Sequence, residues 1–181
     1  MSEELEVLKL VTGRLGKANI NYIISGSIAA NYYTVPRMTR DIDIVIELKN
    51  ADIENFIQNF QQDFYVDHEI IKNEVRSRGM FNLIHKEYAL KVDFIVHKNS
   101  EFQESSFLRK KKVVVDGISV WIISPEDLII AKLLWAKDSY SELQLNDISN
   151  LMKTVDSLDK SYIENWTRKL GLEYVYKRVK L

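Results

Sequence analysis

The chain is 181 residues long, carries a formal net charge of -1 and contains no cysteine. That length suits one domain with at most a small helical appendage, and 46% hydrophobic with 28% charged residues is the make-up of an ordinary soluble globule. The balance excludes a uniformly basic nucleic-acid coat, though not a local patch. The missing cysteines exclude disulfides and thiolate metal sites, and with neither a signal peptide nor an 18-residue apolar run the expectation is a cytoplasmic protein with no membrane span.

Residues 2–17 read as an amphipathic helix. Leu5, Leu8, Val11 and Leu15 recur at helical spacing, Ser2 is placed to cap it, and Glu3 and Glu4 suit its first turn. Residues 21–25 form a short apolar strand that Gly26 ends, and Ser27 opens a helix through Tyr33. A helix N-terminus after a glycine turn offers free N–H groups to an anion. Pro36 breaks that helix, and Arg37-Met-Thr39-Arg40 leads into Asp41-Ile-Asp43-Ile-Val-Ile. In a strand, residues two apart share a face. Asp41 and Asp43 therefore stand side by side with Val45 and Glu47, while Ile42, Ile44, Ile46 and Leu48 take the core face. Two carboxylates about 7 Å apart along a strand repel one another unless a cation sits between them. Oxygen-only ligation suits Mg²⁺ or Mn²⁺, and a pair of such ions can drive in-line displacement at phosphorus.

Residues 49–63 are expected to be helical, with Ile53, Phe56, Ile57 and Phe60 on one face; a short strand follows at 64–66 and a helix at 70–78. Residues 80–85 and 89–97 read as an antiparallel hairpin. In its second arm Leu90, Val92, Phe94 and Val96 share one face, and Asp93 shares the other with Lys91 and Ile95. An aspartate inside a strand otherwise fit for burial is costly unless paired or metal-bound, which makes Asp93 the candidate third carboxylate. Residues 100–108 are weakly helical, and Arg109-Lys-Lys-Lys112 is a basic run ahead of a strand at 113–115. Asp116-Gly117 signals a hairpin turn, and the chain returns over 118–123. Ser124-Pro-Glu-Asp127 starts a helix, with Ser as cap and Pro at its first position. Further helices are expected over 141–155, 161–170 and 172–181. The segment 160–181 holds six Lys/Arg against two Glu, so with the 109–112 run it forms a candidate patch for a polyanion such as tRNA, or simply a solvated face. His68, His85 and His97 are scattered and not at ligand spacing.

Gly26-Ser27, then Arg37-x-Thr39-x-Asp41-Ile-Asp43-Ile44, then Val92-Asp93-Phe-Ile95, resembles the nucleotidyltransferase superfamily related to DNA polymerase beta. The likeness is to its small prokaryotic members, which include abortive-infection toxin-type and antibiotic-modifying enzymes, and it covers roughly residues 20–150. The resemblance implies that Asp41, Asp43 and Asp93 are catalytic and hold Mg²⁺ or Mn²⁺, and that the triphosphate of an NTP lies on the Gly26 turn with the Ser27 hydroxyl as donor. Arg37 and Thr39 match the family's R-x-T, and Arg37 or Arg40 meets phosphate or pairs with a carboxylate. Small relatives carry a helix like Ser124-Pro-Glu-Asp-Leu-x-x-x-Lys132-Leu, whose lysine reaches the nucleotide; here Lys132 does so or snorkels to solvent. Asp147 matches an acid common in the family and reads as a helix cap or an ion-pair partner of Lys132 or Lys137.

The expected architecture is α/β: a small mixed sheet with helices packed on it over residues 1–123, and a helical segment over 124–181 packed against it as one unit. The expected activity is transfer of an NMP from an NTP to an acceptor hydroxyl, with pyrophosphate released. The acceptor is left open among tRNA, protein and a small-molecule antibiotic. The alternative is a catalytically silent module of the same fold, working with a partner protein in a toxin–antitoxin-like pair.

Overall fold

The alternation of Ile42, Ile44 and Ile46 with Asp41, Asp43 and Val45 decides the middle of the fold. The isoleucines are wholly buried and the intervening residues are not, the period of a strand with one face covered. In the computed structural model, which describes residues 2–39, 41–139 and 141–179, this strand is β2 (Asp41–Ile46), and β1 is Tyr22–Ile24. The other strands are β3 (Phe64–Tyr65), β4 (Met80–His85), β5 (Lys91–Val96), β6 (Lys111–Val115) and β7 (Ile118–Ile122). The described residues form one seven-stranded sheet in the order β3-β4-β5-β2-β1-β7-β6. β2 runs parallel to β5, β1 runs parallel to β7, and the remaining neighbours are antiparallel. The expected mixed sheet and the 80–97 hairpin are both present.

The helices are α1 (Glu3–Lys17), α2 (Gly26–Tyr33), α3 (Ile53–Phe60), α4 (His68–Ser77), α5 (Glu101–Arg109), α6 (Pro125–Ser139), α7 (Glu142–Thr154), α8 (Lys160–Lys169) and α9 (Glu173–Tyr176). α3 covers the isoleucine face on the β4–β5 side, where the Phe56 ring meets Phe94 edge-on at 5.3 Å and Phe81 at 5.7 Å. Burying each such side chain contributes about 1.5–3 kcal/mol. On the opposite face of β4, Met80 and Ile84 remain exposed.

α6 packs on α2, α7, α8 and α9, and Leu128, Ile129, Ile130 and Leu133 are buried nearly all round it. Its entry is tied by a polar knot. Ser124 donates to Asp127 (2.6 Å), the Tyr162 hydroxyl donates to the other Asp127 oxygen (2.7 Å), and Arg109 reaches both Asp127 (3.2 Å) and Glu126 (3.0 Å). The Arg109 guanidinium also lies 4.0 Å over the Tyr162 ring. α5, α6 and α8 are joined there.

Four details differ from the sequence reading. The helix expected over 49–63 is a 3₁₀ turn at Asn50–Asp52 followed by α3. α4 starts at His68, two residues early, because the Asp67 carboxylate accepts from the Glu69 and Ile70 N–H groups. Lys111 and Lys112 lie inside β6 and not ahead of it. Of the basic residues proposed for a polyanion patch, Arg109 is engaged in the knot and Lys169 pairs with Glu101 at 2.8 Å. Arg40, one candidate phosphate partner, lies outside the described residues. Among the described residues, no helix is long and apolar enough to cross a membrane.

Candidate active site

The register of β2 against β5 brings the three aspartates onto one sheet face. Asp43 pairs with Asp93, and Asp41 pairs with Lys91. On the far side of β5, Asn82 of β4 stands opposite Asp93, so Asn82, Asp93 and Asp43 form a row across three strands. Asp41 is exposed, Asp43 half-buried and Asp93 buried.

β1 delivers the Gly26 turn to the same place. The Ser25 N–H donates to the Asp43 carbonyl at 2.9 Å, which sets the next residue against the Asp43 side chain. Gly26 has φ +58°, and a Cβ there would overlap the Asp43 carboxylate. The Ser27 backbone N–H lies beside that carboxylate and favours its charged form. In this structure, the anion at the N-terminus of α2 is therefore Asp43. Burial raises the Asp43 pKa above the usual carboxylate range and the Asp93 charge adds to the rise, while Lys132 and the Ser27 N–H oppose it.

A second line of contacts runs from the same turn into the C-terminal helices. Arg37 Nη2 donates to Ser27 Oγ (2.8 Å), and the guanidinium grips Asp147 through Nε (3.2 Å) and Nη2 (3.0 Å). Lys132 donates to Asp147 (2.8 Å) and Gln144 (3.0 Å). Lys132 is 3% exposed, so its head stays inside and pairs, where snorkelling was one of two expectations. Asp147 accordingly pairs with both Lys132 and Arg37. Burial would raise the Asp147 pKa, but the hydrogen bonds and charges of Arg37 and Lys132 outweigh it and hold the carboxyl below its ordinary value. The stability this confers is present above the ordinary aspartate range and is lost as pH falls through the lowered pKa, below about pH 4.

Asp147→Ala leaves Lys132 buried beside Gln144 without its ion-pair partner. The expected cost is about 3–5 kcal/mol, the range for breaking a buried ion pair, read as a lower urea midpoint at pH 7. Asp147→Asn keeps an acceptor and should cost less. A wild-type midpoint for Asp147→Ala would show that the pair contributes nothing.

Of the remaining sequence candidates, Thr39 stands apart from this network, its hydroxyl bonding only the Asp41 backbone (3.3 and 3.4 Å). Lys91 was not a site candidate, yet its ammonium sits 2.8 Å from Asp93 Oδ2 and 3.8 Å from Asp41 Oδ1. The hydrogen bond to Asp93 raises the Lys91 pKa, against burial and with the help of the nearby carboxylates. Its place two residues before Asp93 on a strand was the available signal.

Among the described residues, no group of three or more His, Asp or Glu side chains is gathered closely enough to hold an ion as it stands. The donor set nevertheless fits a hard divalent cation. Among the described residues, Asp93 Oδ1 is buried without a hydrogen-bond partner, Asp43 and Asp93 repel each other, and Asp41 and Asp93 share the ammonium of Lys91.

Residues 4–179 match the family described as "Nucleotidyl transferase of unknown function (DUF2204)". No curated protein matches the chain by sequence. Among solved structures, an antigenic nucleotidyltransferase-like protein from Paracoccidioides brasiliensis superposes with TM-score 0.57 at 18% identity, over 98% of this chain and 89% of that one. The lincosamide antibiotic adenylyltransferase LnuA, with lincomycin bound, gives 0.55 at 17% identity over 86% and 99% of the two chains. ANT(2'')-Ia in complex with adenylyl-2''-tobramycin gives 0.54 at 15% identity over 94% and 97%. At such identities the likeness is one of fold.

Proposed function

Because the chain belongs to this nucleotidyl transferase family, we propose that it transfers an NMP from an NTP to an acceptor hydroxyl at the Asp41/Asp43/Asp93 face. The observation that carries the proposal is the register pairing of Asp43 with Asp93, with the Gly26–Ser27 turn closed directly on Asp43. Asp41, Asp43 and Asp93 would hold Mg²⁺ or Mn²⁺. Such an ion, once bound, neutralises the triphosphate and supports in-line displacement at phosphorus.

The protein's own groups do the rest. Drawing Asp43 onto a cation would free the Ser27 N–H for phosphate, and the Ser27 hydroxyl and the Arg37 guanidinium stand beside it. Lys132, held by Asp147, adds positive charge behind Asp43. Asp93, with one oxygen unbonded, is placed to take the proton of the acceptor hydroxyl. The acceptor oxygen bonds to the α-phosphorus, the bond to the bridging oxygen breaks, and pyrophosphate leaves. The fold relatives solved with lincomycin and with adenylyl-2''-tobramycin support trying hydroxylated antibiotics as acceptors beside tRNA and protein.

The test is the melting temperature with each NTP and Mg²⁺ against EDTA, followed by label transfer to cellular RNA, cellular protein and antibiotics. At a hundred-fold excess over Kd a bound NTP should add about 2.7 kcal/mol. No shift with any NTP would sink the proposal. A shift without label transfer to any acceptor would favour the silent module.

A further inference from the structure

The strands that carry the aspartates also build a cavity, at their opposite ends. β2 leaves the sheet through Leu48, Lys49 and Asn50, and β5 leaves it through His97 and Asn99. With the end of α4 these segments enclose about 490 Å³. At about 3.3 Å per residue, the cavity begins roughly 10 Å along β5 from Asp93, at Val96, and roughly 13 Å along β2 from Asp43, at Glu47.

Its chemistry is cationic over an apolar floor. Leu48, Val75 and Val96 are buried, and Lys49, Arg76 and Arg78 line the walls. Neither Lys49 nor Arg76 has an acidic partner among the described residues. Glu47, the acid at the rim, is hydrogen-bonded by Asn21 at 2.7 Å. Arg78 is fixed in place: its backbone is left-handed (φ 55°), unusual for a residue with a side chain, and its guanidinium donates to the His97 carbonyl at 3.2 Å. Asn99 on the facing wall is left-handed too (φ 50°).

His97 supplies an independent observation. It is 6% exposed, and its Nε2 is sealed from solvent with no hydrogen-bond partner. Nδ1 lies 3.2 Å from the Asn99 N–H, from which it accepts in one tautomer, and 3.0 Å from Asn99 Oδ1, to which it donates in the other. In either tautomer Nε2 is a buried polar atom with nothing to bond among the described residues, and such groups call for an explanation. Two guanidinium forks and an ammonium around one space match the oxygens of a phosphate monoester, and the volume lies within the range of small-molecule sites.

We propose that this cavity, formed by Lys49, Arg76, Arg78 and His97, is a second site that binds a small phosphate-bearing molecule. The monoester fits better than a nucleic-acid diester, because three cations facing one engaged acid favour a dianion and the floor leaves room for a sugar-sized body.

The experiment is calorimetry on the full chain in EDTA with inorganic phosphate and ribose 5-phosphate, so that the three aspartates, without a divalent cation, keep anions from their own face. Wild type and Ser27→Ala should bind alike, and Lys49→Ala/Arg76→Ala should bind at least ten-fold more weakly. Both substituted residues are exposed, so the fold is preserved. Absence of binding to either probe would overturn the proposal, as would equal affinity in the double variant or a loss in Ser27→Ala. Binding of an RNA oligonucleotide without terminal phosphates, in place of the monoesters and through the same two residues, would also overturn it and make this an RNA contact.

Discussion

Asp43→Asn is expected to melt higher than the wild type in EDTA and to transfer no nucleotide. The raised pKa of Asp43 means that burial and Asp93 make its ionised form costly. Apo stability therefore falls as pH rises from the ordinary carboxylate range through the raised value, and stays low above it. Asparagine removes the charge yet keeps an oxygen to accept the Ser27 N–H. A gain of about 1 kcal/mol would appear as roughly 2–4 °C in a chain of this size, and the pH dependence should flatten. Transfer should drop more than about 100-fold, beyond the effect of disturbing only the surroundings of a metal ligand. Differential scanning calorimetry across pH and a labelled-NTP assay read the two halves separately. Wild-type transfer by Asp43→Asn would remove Asp43 from the site.

Gly26→Ala should be almost as damaging as Gly26→Val, abolishing measurable binding of Mn²⁺ and NTP and lowering the melting temperature. The sequence alone suggests that a Cβ at Gly26 would crowd phosphate or forbid the turn. The structure gives a different reason: the first carbon of any side chain overlaps the Asp43 carboxylate. The left-handed backbone adds about 1–2 kcal/mol for a non-glycine residue. In an Asp43→Ala background the carboxylate is gone, so the penalty of Gly26→Ala should shrink, a coupling that a double-mutant cycle measures. Wild-type Mn²⁺ affinity in Gly26→Ala, followed by electron paramagnetic resonance, would contradict the close approach.

What the sequence revealed was local. The alternation through Asp41–Ile46 and around Asp93 gave the strands and their buried faces, because a period of two needs no knowledge of neighbours. Asp116-Gly117 marked the β6–β7 turn, and Ser124-Pro marked the start of α6. Distance hid the rest. Arg37 and Asp147 are 110 positions apart, and no local pattern says that they meet. Lys132 offered two readings because its helix is apolar all round; only the placement of α7 supplies the acid that keeps the lysine inside. The acids of Ser124-Pro-Glu-Asp127 read as first-turn residues of α6, but Asp127 is wholly buried and works as the centre of a three-helix knot. Lys91 was visible as a neighbour of Asp93 along the strand, while its reach towards Asp41 depends on the parallel register of β5 with β2.

The ends of the sheet give the lysine run another meaning. β3 and β6 are the outermost strands, and each leaves a row of backbone groups without a neighbour. Such edges recruit strands from other molecules unless they are short or charged. β3 is only Phe64–Tyr65, too short to template much. β6 is longer, and its Val113-Val-Val115 is the kind of segment that aggregates, with Val114 64% exposed. Lys111 and Lys112, both exposed on that strand, put two positive charges beside the valines. A second copy adding edge-to-edge in parallel register would set its own lysines beside these. The lysines that read as part of a nucleic-acid patch thus sit where their charge opposes edge-to-edge pairing of the sheet.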